Sequence, residues 1–401
     1  DAVQIGKAVA LMKQAKRPMI YAGGGVINSG PEAAEALTKL ARLTGFPITN
    51  TLMGLGAYPA SDPQFVGMLG MHGTYEANLA MHGCDMLLAV GARFDDRVTG
   101  RLSAFSQNSR KIHIDIDSSS INKNVQVEVP IVADAGNALN ALIAGWQASD
   151  APADKPALAA WWRQIDEWRG KDSLKFTQDM AKGGIIKPQY AIQRLFEITQ
   201  ARSKEVFITT EVGQHQMWAA QHFHFDKPNR WMTSGGLGTM GYGLPAAMGV
   251  QIAHPDACVI DIAGEASILM NIQEMGTLAQ YRLPVKVFIL NNQYMGMVRQ
   301  WQELLHGSRY SETYSAALPD FVKLADSFHA TGMRATSIDQ LDDVINAMLD
   351  CPTAVIADIA VDQAENCFPM IPSGAAHNEM ILGPEHEDSG VGVTDAGMVL
   401  V

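Results

Sequence analysis

A carboxylate and a pair of amides follow two apolar segments in the second half of this 401-residue chain. The first segment ends at Gly264-Glu265-Ala266-Ser267. The second follows a helix-like stretch and ends at Asn291-Asn292. This βαβ pattern places both polar ends at the carboxyl edge of a parallel sheet, where open α/β sheets bind ligands. Carboxylate and amide oxygens suit Mg2+, so the pattern predicts a magnesium site at Glu265 and Asn292.

The helix predicted after Ser267 would direct free backbone N–H groups and a positive dipole end toward the same edge. Such a helix terminus suits a diphosphate, and the metal ion would neutralise further charge. A structural alternative remains open. In that interpretation the βαβ unit is simply buried, with a capping glutamate and a turn-forming asparagine pair.

A glycine-rich loop runs from Ser234 to Gly243 and enters a helix at Leu244-Pro245. Glycine lets a backbone approach a ligand closely. The loop has no Gly-Lys-Ser/Thr, which excludes a P-loop. A small-residue packing interface between helices is the alternative interpretation.

The first half contains a second glycine-rich turn, Gly23-Gly24-Gly25, after the strand predicted at Pro18–Ala22. A dinucleotide fingerprint would need glycine at position 28, where Asn28 stands, so an NAD site is not indicated. Charged residues from Arg93 to Arg97 could contact a ligand. Alternatively, they form a surface salt-bridge cluster of little energetic value.

Strand-like and helix-like segments alternate in both halves, which predicts an α/β protein with two Rossmann-like parallel sheets. A Pro/Asp/Ala-rich stretch interrupts the alternation at 148–156. We therefore predict a first domain at 1–150, a linker at 151–187, a second domain at 188–375 and a tail at 376–401. The Gly/Pro-rich stretch after Cys367 is predicted to lie on the surface.

Composition restricts the functional class. The net charge of -12 disfavours nucleic acid and anionic membranes as partners, and no apolar stretch approaches the length of a membrane span. Four scattered cysteines and no signal peptide indicate a reduced, cytoplasmic protein. The first residue is Asp1 rather than methionine, which predicts a processed, truncated or partial chain.

The spacing of the polar ends resembles a known cofactor motif. In this chain 24 residues separate Gly264-Glu265-Ala266 from Asn291-Asn292. Enzymes dependent on thiamine diphosphate (ThDP) carry Gly-Asp-Gly, a similar interval and Asn-Asn. Glutamate replaces aspartate here, and alanine replaces the second glycine. The whole chain is similar to the C-terminal two-thirds of the catalytic subunits of the acetohydroxyacid (acetolactate) synthase family.

This resemblance implies a ThDP diphosphate-binding second domain. The cofactor contacts would come from Gln214, His215, Ala266 and Ser267. Met240 would wedge between the two cofactor rings, and the Gly238 carbonyl would accept a hydrogen bond from the aminopyrimidine. The Tyr294 carbonyl would complete the metal shell. Trp301 and Met297 would line the substrate pocket, where the tryptophan favours a larger 2-ketoacid acceptor.

The resemblance also implies that the first domain is a DHS-like, FAD-binding-type central domain. Arg93 and Arg97 would face the pyrophosphate and flavin edges, and Asp115 would bind ribose hydroxyls. The complete set of expected FAD contacts is Gly24, Leu69, Met71, His72, Gly91, Arg93, Asp95, Arg97, Val98, Asp115, Asp134 and Ala135.

The implied reaction is a transferase step in branched-chain amino acid biosynthesis. Pyruvate loses carbon dioxide, and the remaining two-carbon unit joins a second pyruvate or 2-oxobutyrate. A homodimer or homotetramer and a small regulatory subunit are expected. The family's catalytic glutamate belongs to an N-terminal domain that we do not find in this sequence. A ThDP-dependent oxidase or decarboxylase, a non-catalytic cofactor-binding fragment and an NAD dehydrogenase are the alternatives.

Overall fold

The computed structural model of the chain describes residues 1–150 and 153–384. They form two compact units. The first comprises Asp1–Lys175, Phe225–Pro228 and the segment from Phe368 onward. The second comprises Phe176–His224 and Asn229–Cys367. The predicted domain boundaries at 150, 187 and 375 remain predictions, because the units are assembled from several separate stretches.

The first unit contains a six-stranded parallel sheet with helices around it. Its strands are β1 (Pro18–Ala22), β2 (Ile48–Asn50), β3 (Phe65–Met68), β4 (Met86–Val90), β5 (Arg110–Asp115) and β6 (Val129–Val132). Its helices are α1 (Ala2–Gln14), α2 (Gly24–Asn28), α3 (Pro31–Thr44), α4 (Tyr75–Gly83), α5 (Asp96–Thr99), α6 (Ala135–Ala148) and α7 (Lys155–Arg169).

The strand order of this sheet is β3-β2-β1-β4-β5-β6. Successive strands are added on one side of β1 up to β3 and on its other side from β4 onward, and this switch point creates the crevice where Rossmann-like sheets bind ligands. Both faces of the sheet are buried. In β4, for example, Met86 and Leu88 belong to one apolar core, whereas Leu87 and Ala89 belong to the other. Burial on both faces explains why this strand is continuously apolar.

The second unit also contains a six-stranded parallel sheet. Its strands are β7 (Val206–Thr210), β8 (Trp231–Met232), β9 (Cys258–Gly264), β10 (Lys286–Asn291), β11 (Thr331–Ala335) and β12 (Val355–Ala360). Its helices are α8 (Pro188–Gln200), α9 (Gln214–His222), α10 (Gly243–Ala253), α11 (Glu265–Ile268), α12 (Glu274–Tyr281), α13 (Gly296–Leu305), α14 (Phe321–Ser327) and α15 (Ile338–Asp350).

The order β11-β12-β10-β9-β7-β8 places the switch point in strand order between β7 and β9. The two predicted parallel-sheet α/β domains are therefore confirmed. The helix expected after Ser267 begins earlier than predicted, because the chain turns helical at Glu265, immediately after β9. Ala266 and Ser267 consequently lie in the first helical turn itself.

The stretch after Cys367 does not lie on the surface as predicted. Met370, Ile371 and His377 are buried in the first unit, and the Met71 carbonyl accepts a hydrogen bond from Ile371 N–H at 2.8 Å. Apolar residues between the prolines account for this burial, since they pack against the loop after β3. Of the predicted tail, residues 385–401 lie outside the described residues.

Candidate active site

A cavity of about 70 Å3 opens at the crevice between β7 and β9 in the second unit. Nine residues predicted from the sequence line it together: Gln214, His215, Met240, Glu265, Ala266, Ser267, Asn292, Tyr294 and Met297. The sequence analysis missed Val212, Trp218 and Met295, which also line it. These three are apolar neighbours of motif residues, and nothing in their type distinguishes them from core.

Glu265 and Asn292 meet because their strands are neighbours in parallel register. Leu290 of β10 pairs with Gly264 of β9, so the polar residues that follow emerge side by side. Burial raises the pKa of Glu265 to about 7, although backbone N–H groups, including those of Asn292 and Tyr294, oppose the shift. Among the described residues, Oε1 of Glu265 is buried without a hydrogen-bond partner.

Hydrogen bonds fix the Asn292 side chain on both sides. Its Nδ2 donates to Oε1 of Gln214 at 3.2 Å, and its Oδ1 accepts from the Tyr294 backbone N–H at 3.0 Å. The amide oxygen keeps a second lone pair. Gly296 makes this packing possible, because a Cβ there would lie 2.0 Å from Oε1 of Gln214.

These contacts fit a magnesium ion. No three His, Cys, Asp or Glu side chains gather into a metal-binding cluster anywhere in the part of the chain that the structure describes. Mg2+ does not require such a cluster, because it binds one or two carboxylates together with substrate phosphates and water. A buried, unsatisfied carboxylate oxygen beside an amide oxygen provides two suitable ligands.

His215 lies in the first turn of α9, close to two glycines. A Cβ at Gly213 or at Gly264 would approach the imidazole ring to 2.7 Å, so glycine is needed at both positions. Burial lowers the pKa of His215 to about 3, which keeps the ring neutral. Its Nε2 has no hydrogen-bond partner within the described residues, and that leaves a buried polar atom for a ligand.

Two buried carboxyl groups lie beneath the glycine-rich loop. Glu211 accepts hydrogen bonds from the backbone N–H groups of Gly241 and Leu244, at 2.5 and 3.1 Å. Burial raises the pKa of Glu211 to about 7, and burial together with the Glu211 charge raises the pKa of neighbouring Asp261 well above its ordinary value. Glu211 therefore anchors the loop that carries Met240, a role that the sequence analysis did not assign.

Two predicted residues lie outside the lining of the cavity. Gly238 is exposed with φ +67°, a backbone conformation that favours glycine. Trp301 is half-buried in α13, one turn beyond the cavity-lining Met297. Their assignments to the aminopyrimidine and to the substrate pocket therefore remain predictions.

A second candidate site lies in the first unit, at the crevice between β1 and β4. The turns after these strands touch, since a Cβ at Gly91 would lie 2.6 Å from Cα of Gly25. Gly91 has φ +59°, and Gly24 begins α2 beside it. Two glycine-containing turns therefore meet at the carboxyl edge of the sheet, where a pyrophosphate could approach their half-buried backbone.

Charged residues follow the same strands. Arg93 pairs with Asp95 at 2.8 Å, and both side chains are largely exposed. Asp115 ends β5, is buried, and lies 3.7 Å from Nε2 of His113. Burial lowers the pKa of His113, so this contact joins a carboxylate to a neutral ring.

The remaining expected FAD contacts divide into two groups. Leu69, Met71 and His72 adjoin Arg97 and Val98, because Met71 N–H donates to the Arg97 carbonyl at 2.8 Å. Asp134 instead caps α6 by accepting from Asn137 N–H, with Ala135 as the first helical residue. Asp134 also accepts a 2.6 Å hydrogen bond from Ser29. Its capping role accounts for Asp134 without a ligand.

None of the helices among residues 1–150 and 153–384 has the length and apolar character that a membrane crossing requires.

Comparison with known proteins matches both units to one enzyme family. The model of the thiamine pyrophosphate enzyme central domain matches residues 5–142, and that of the C-terminal TPP binding domain matches residues 211–359. Thiamine pyrophosphate is another name for ThDP.

Curated relatives agree with these matches. The acetolactate synthase large subunit of Haemophilus influenzae is 44% identical over 96% of this chain and 66% of its own length. The acetolactate synthase isozyme 3 large subunit of Escherichia coli K12 is 43% identical over 94% of this chain and 65% of its own length. Chloroplastic acetolactate synthase 1 of Nicotiana tabacum is 43% identical over 93% of this chain and 55% of its own length.

The chain thus spans just under two thirds of the length of the bacterial relatives. The two domain models cover most of the chain and coincide with its two parallel-sheet units. The chain therefore belongs to the thiamine pyrophosphate enzymes and is a homologue of acetolactate synthase large subunits.

Proposed function

We propose that this chain provides the ThDP- and magnesium-binding part of an acetolactate synthase. Pyruvate would be the donor, and pyruvate or 2-oxobutyrate the acceptor, giving 2-acetolactate or 2-aceto-2-hydroxybutyrate. The observation that carries the proposal is that Glu265 and Asn292 line one cavity, where Oε1 of Glu265 is buried and has no hydrogen-bond partner among the described residues.

Thiamine diphosphate, when bound, supplies carbanion chemistry that protein side chains lack. The protein's contribution is binding and orientation. Glu265, Asn292 and the Tyr294 carbonyl would hold the magnesium ion. The first turns of α9 and α11 direct backbone N–H groups toward the cavity, and neutral His215 can contact a phosphoryl oxygen without adding charge. Met240, on the loop anchored by Glu211, would support the cofactor rings.

The first unit would bind FAD at the crevice between β1 and β4. The close approach of Gly25 and Gly91 supports this proposal, as do the exposed Arg93 and the buried Asp115 at neighbouring strand ends. Flavin absorbance retained by the purified protein, and released on denaturation, would test it. A colourless protein that does not bind added FAD would contradict it.

A small regulatory subunit and self-association into a homodimer or homotetramer are part of the proposal. The bacterial relatives are named large subunits, which supports the small subunit.

Glu265→Ala tests the metal assignment. We expect magnesium-dependent ThDP affinity, measured by calorimetry, to fall at least tenfold, because a direct metal ligand is removed. Glu274→Ala is the control, since this residue lies on α12 away from the cavity lining. Unchanged affinity in Glu265→Ala would contradict the assignment.

The products formed from pyruvate test the reaction. Acetolactate would support the synthase, whereas acetyl phosphate or acetaldehyde would indicate an oxidase or decarboxylase. Addition of 2-oxobutyrate should divert product to 2-aceto-2-hydroxybutyrate. Cofactor binding without turnover would indicate that this chain only binds the cofactor.

A further inference from the structure

A line of buried amide side chains connects the cavity to the segment that follows β12. Gln300 of α13 is fully buried, and Gln214 and Asn292 are nearly so. Nε2 of Gln214 donates to Oε1 of Gln300 at 2.9 Å, and Nδ2 of Asn292 donates to Oε1 of Gln214 at 3.2 Å. The three side chains thus form one continuous chain of hydrogen bonds.

Backbone groups fix the direction of this chain. The Cys367 N–H can only donate, and it donates to Oε1 of Gln300 at 2.7 Å. The Glu365 carbonyl can only accept, and it accepts from Nε2 of Gln214 at 3.0 Å. At the other end, the Tyr294 N–H can only donate, and it donates to Oδ1 of Asn292.

An amide group has one donating end and one accepting end. Reversal of Gln300 would set its amino group against the Cys367 N–H. Reversal of Gln214 would set an oxygen against the Glu365 carbonyl and an amino group against that of Asn292. Each amide therefore has one satisfied orientation. A mismatched buried polar group loses its hydrogen bond without regaining water, and this penalty selects the satisfied orientation.

We propose that Gln300 is a positioning residue that acts through Gln214 to keep the amide oxygen of Asn292 directed at the magnesium ion. This inference rests on the proposed metal site. Gln300 does not line the cavity, so its action is indirect. It supports the ligand in the way that outer-shell partners orient ligands in other metal sites.

Gln300→Met tests the proposal, because methionine preserves length and apolar volume but removes both amide ends. We expect the magnesium concentration that half-saturates ThDP binding to rise at least tenfold, by calorimetry. Mn2+ binding, followed by electron paramagnetic resonance, should weaken in parallel. Gln251→Met is the matched control. Gln251 is equally buried in the same unit, and its amide donates to the His254 carbonyl.

Gln300→Glu provides the second variant. A carboxylate can still accept from the Cys367 N–H and from Gln214, so metal half-saturation should stay within threefold of that of the unmodified protein. The thermal midpoints without cofactor report any general loss of structure. A merely structural role would lower these midpoints without changing the requirement for metal.

The outcomes are separable. Absence of magnesium-dependent ThDP binding in the unmodified protein would overturn the proposed function, and this inference with it. Normal binding there, but equal metal requirements in Gln300→Met and Gln251→Met, would overturn the positioning role alone. An equally large loss in Gln300→Glu would also overturn it, even if Gln300→Met failed to fold.

Discussion

Burial shifts the pKa values of two individual side chains in the candidate site. Glu265 and His215 shift in opposite directions for the same reason, because a low-dielectric surrounding disfavours each charged form. Burial raises the pKa of Glu265 to about 7 and lowers that of His215 to about 3. The His215 ring is therefore neutral near pH 7, whereas the Glu265 carboxyl is protonated to a substantial extent there.

His377, which does not line the cavity, tests how burial of a histidine makes the stability of the protein depend on pH. Burial lowers its pKa to about 4, and Nε2 contacts the Val98 carbonyl. Between pH 6.5 and 4, His377 is protonated in the unfolded chain but neutral in the folded protein. The stability contributed by neutral His377 is therefore present above pH 6.5 and is lost as pH falls through this window. The expected loss is about 3 kcal/mol.

His377→Gln should remove this dependence, because the amide keeps a donor for the Val98 carbonyl but does not titrate. The free energy of unfolding would be measured in urea at several pH values. Hydrogen exchange in peptides from β4 and β5 would report unfolding of the first unit. The variant and the unmodified protein should converge above pH 7 and diverge below pH 6. Parallel curves throughout would show that His377 protonates freely in the folded state.

Helices and strands were predictable where apolar pattern dominated. The bounds of β1 agree with the prediction, since this strand is a short apolar run. α9 was not recognised, because five of its nine residues are polar and four of those five are buried. Such a helix lacks the apolar periodicity on which prediction depends. β2, with only three residues, gave too short a pattern.

The candidate site was predictable in part for the same reasons. Strand pattern and spacing placed Glu265 and Asn292 together, because neighbouring parallel strands end at one edge. Gln300 gave no signal, since its role depends on a hydrogen bond to Gln214, 86 positions earlier in the chain. The burial of Met370 and Ile371 was hidden in a similar way, because it depends on the distant loop at Met71.

Gly91→Ala tests the crevice between β1 and β4. An alanine at φ +59° is strained, and its Cβ would overlap the Gly25 backbone at 2.6 Å. We expect a loss of about 3 kcal/mol in the stability of the first unit, together with loss of FAD binding. Gly6→Ala in α1 is the control. Its Cβ would have no neighbour within 4 Å, so it should stabilise by about 0.5–1 kcal/mol.

The free energy of unfolding and the FAD affinity would be measured for both Gly91→Ala and Gly6→Ala. The comparison distinguishes backbone strain at position 91 from a general effect of replacing glycine. Equal stability and equal flavin affinity in both variants would mean that the turns after β1 and β4 separate easily, contrary to the close packing described here.

At the scale of the whole molecule, binding of ThDP and magnesium should stabilise the second unit selectively. At a concentration one hundred times the dissociation constant, a ligand stabilises the folded state by about 2.7 kcal/mol. Hydrogen exchange should therefore slow most in peptides 211–216, 264–268 and 290–298. Addition of a chelator should reverse the effect. Equal protection by ThDP with and without metal would argue against a metal-bridged diphosphate.

The path of the polypeptide has a consequence for building chimaeras between relatives. The chain passes from one unit to the other at 175/176, 224/225, 228/229 and 367/368. A single crossover placed between residues 176 and 367 would give each unit segments from both parents. Transplanting the second unit intact requires all four junctions, with Phe225–Pro228 and the stretch carrying Met370 and His377 retained from the recipient.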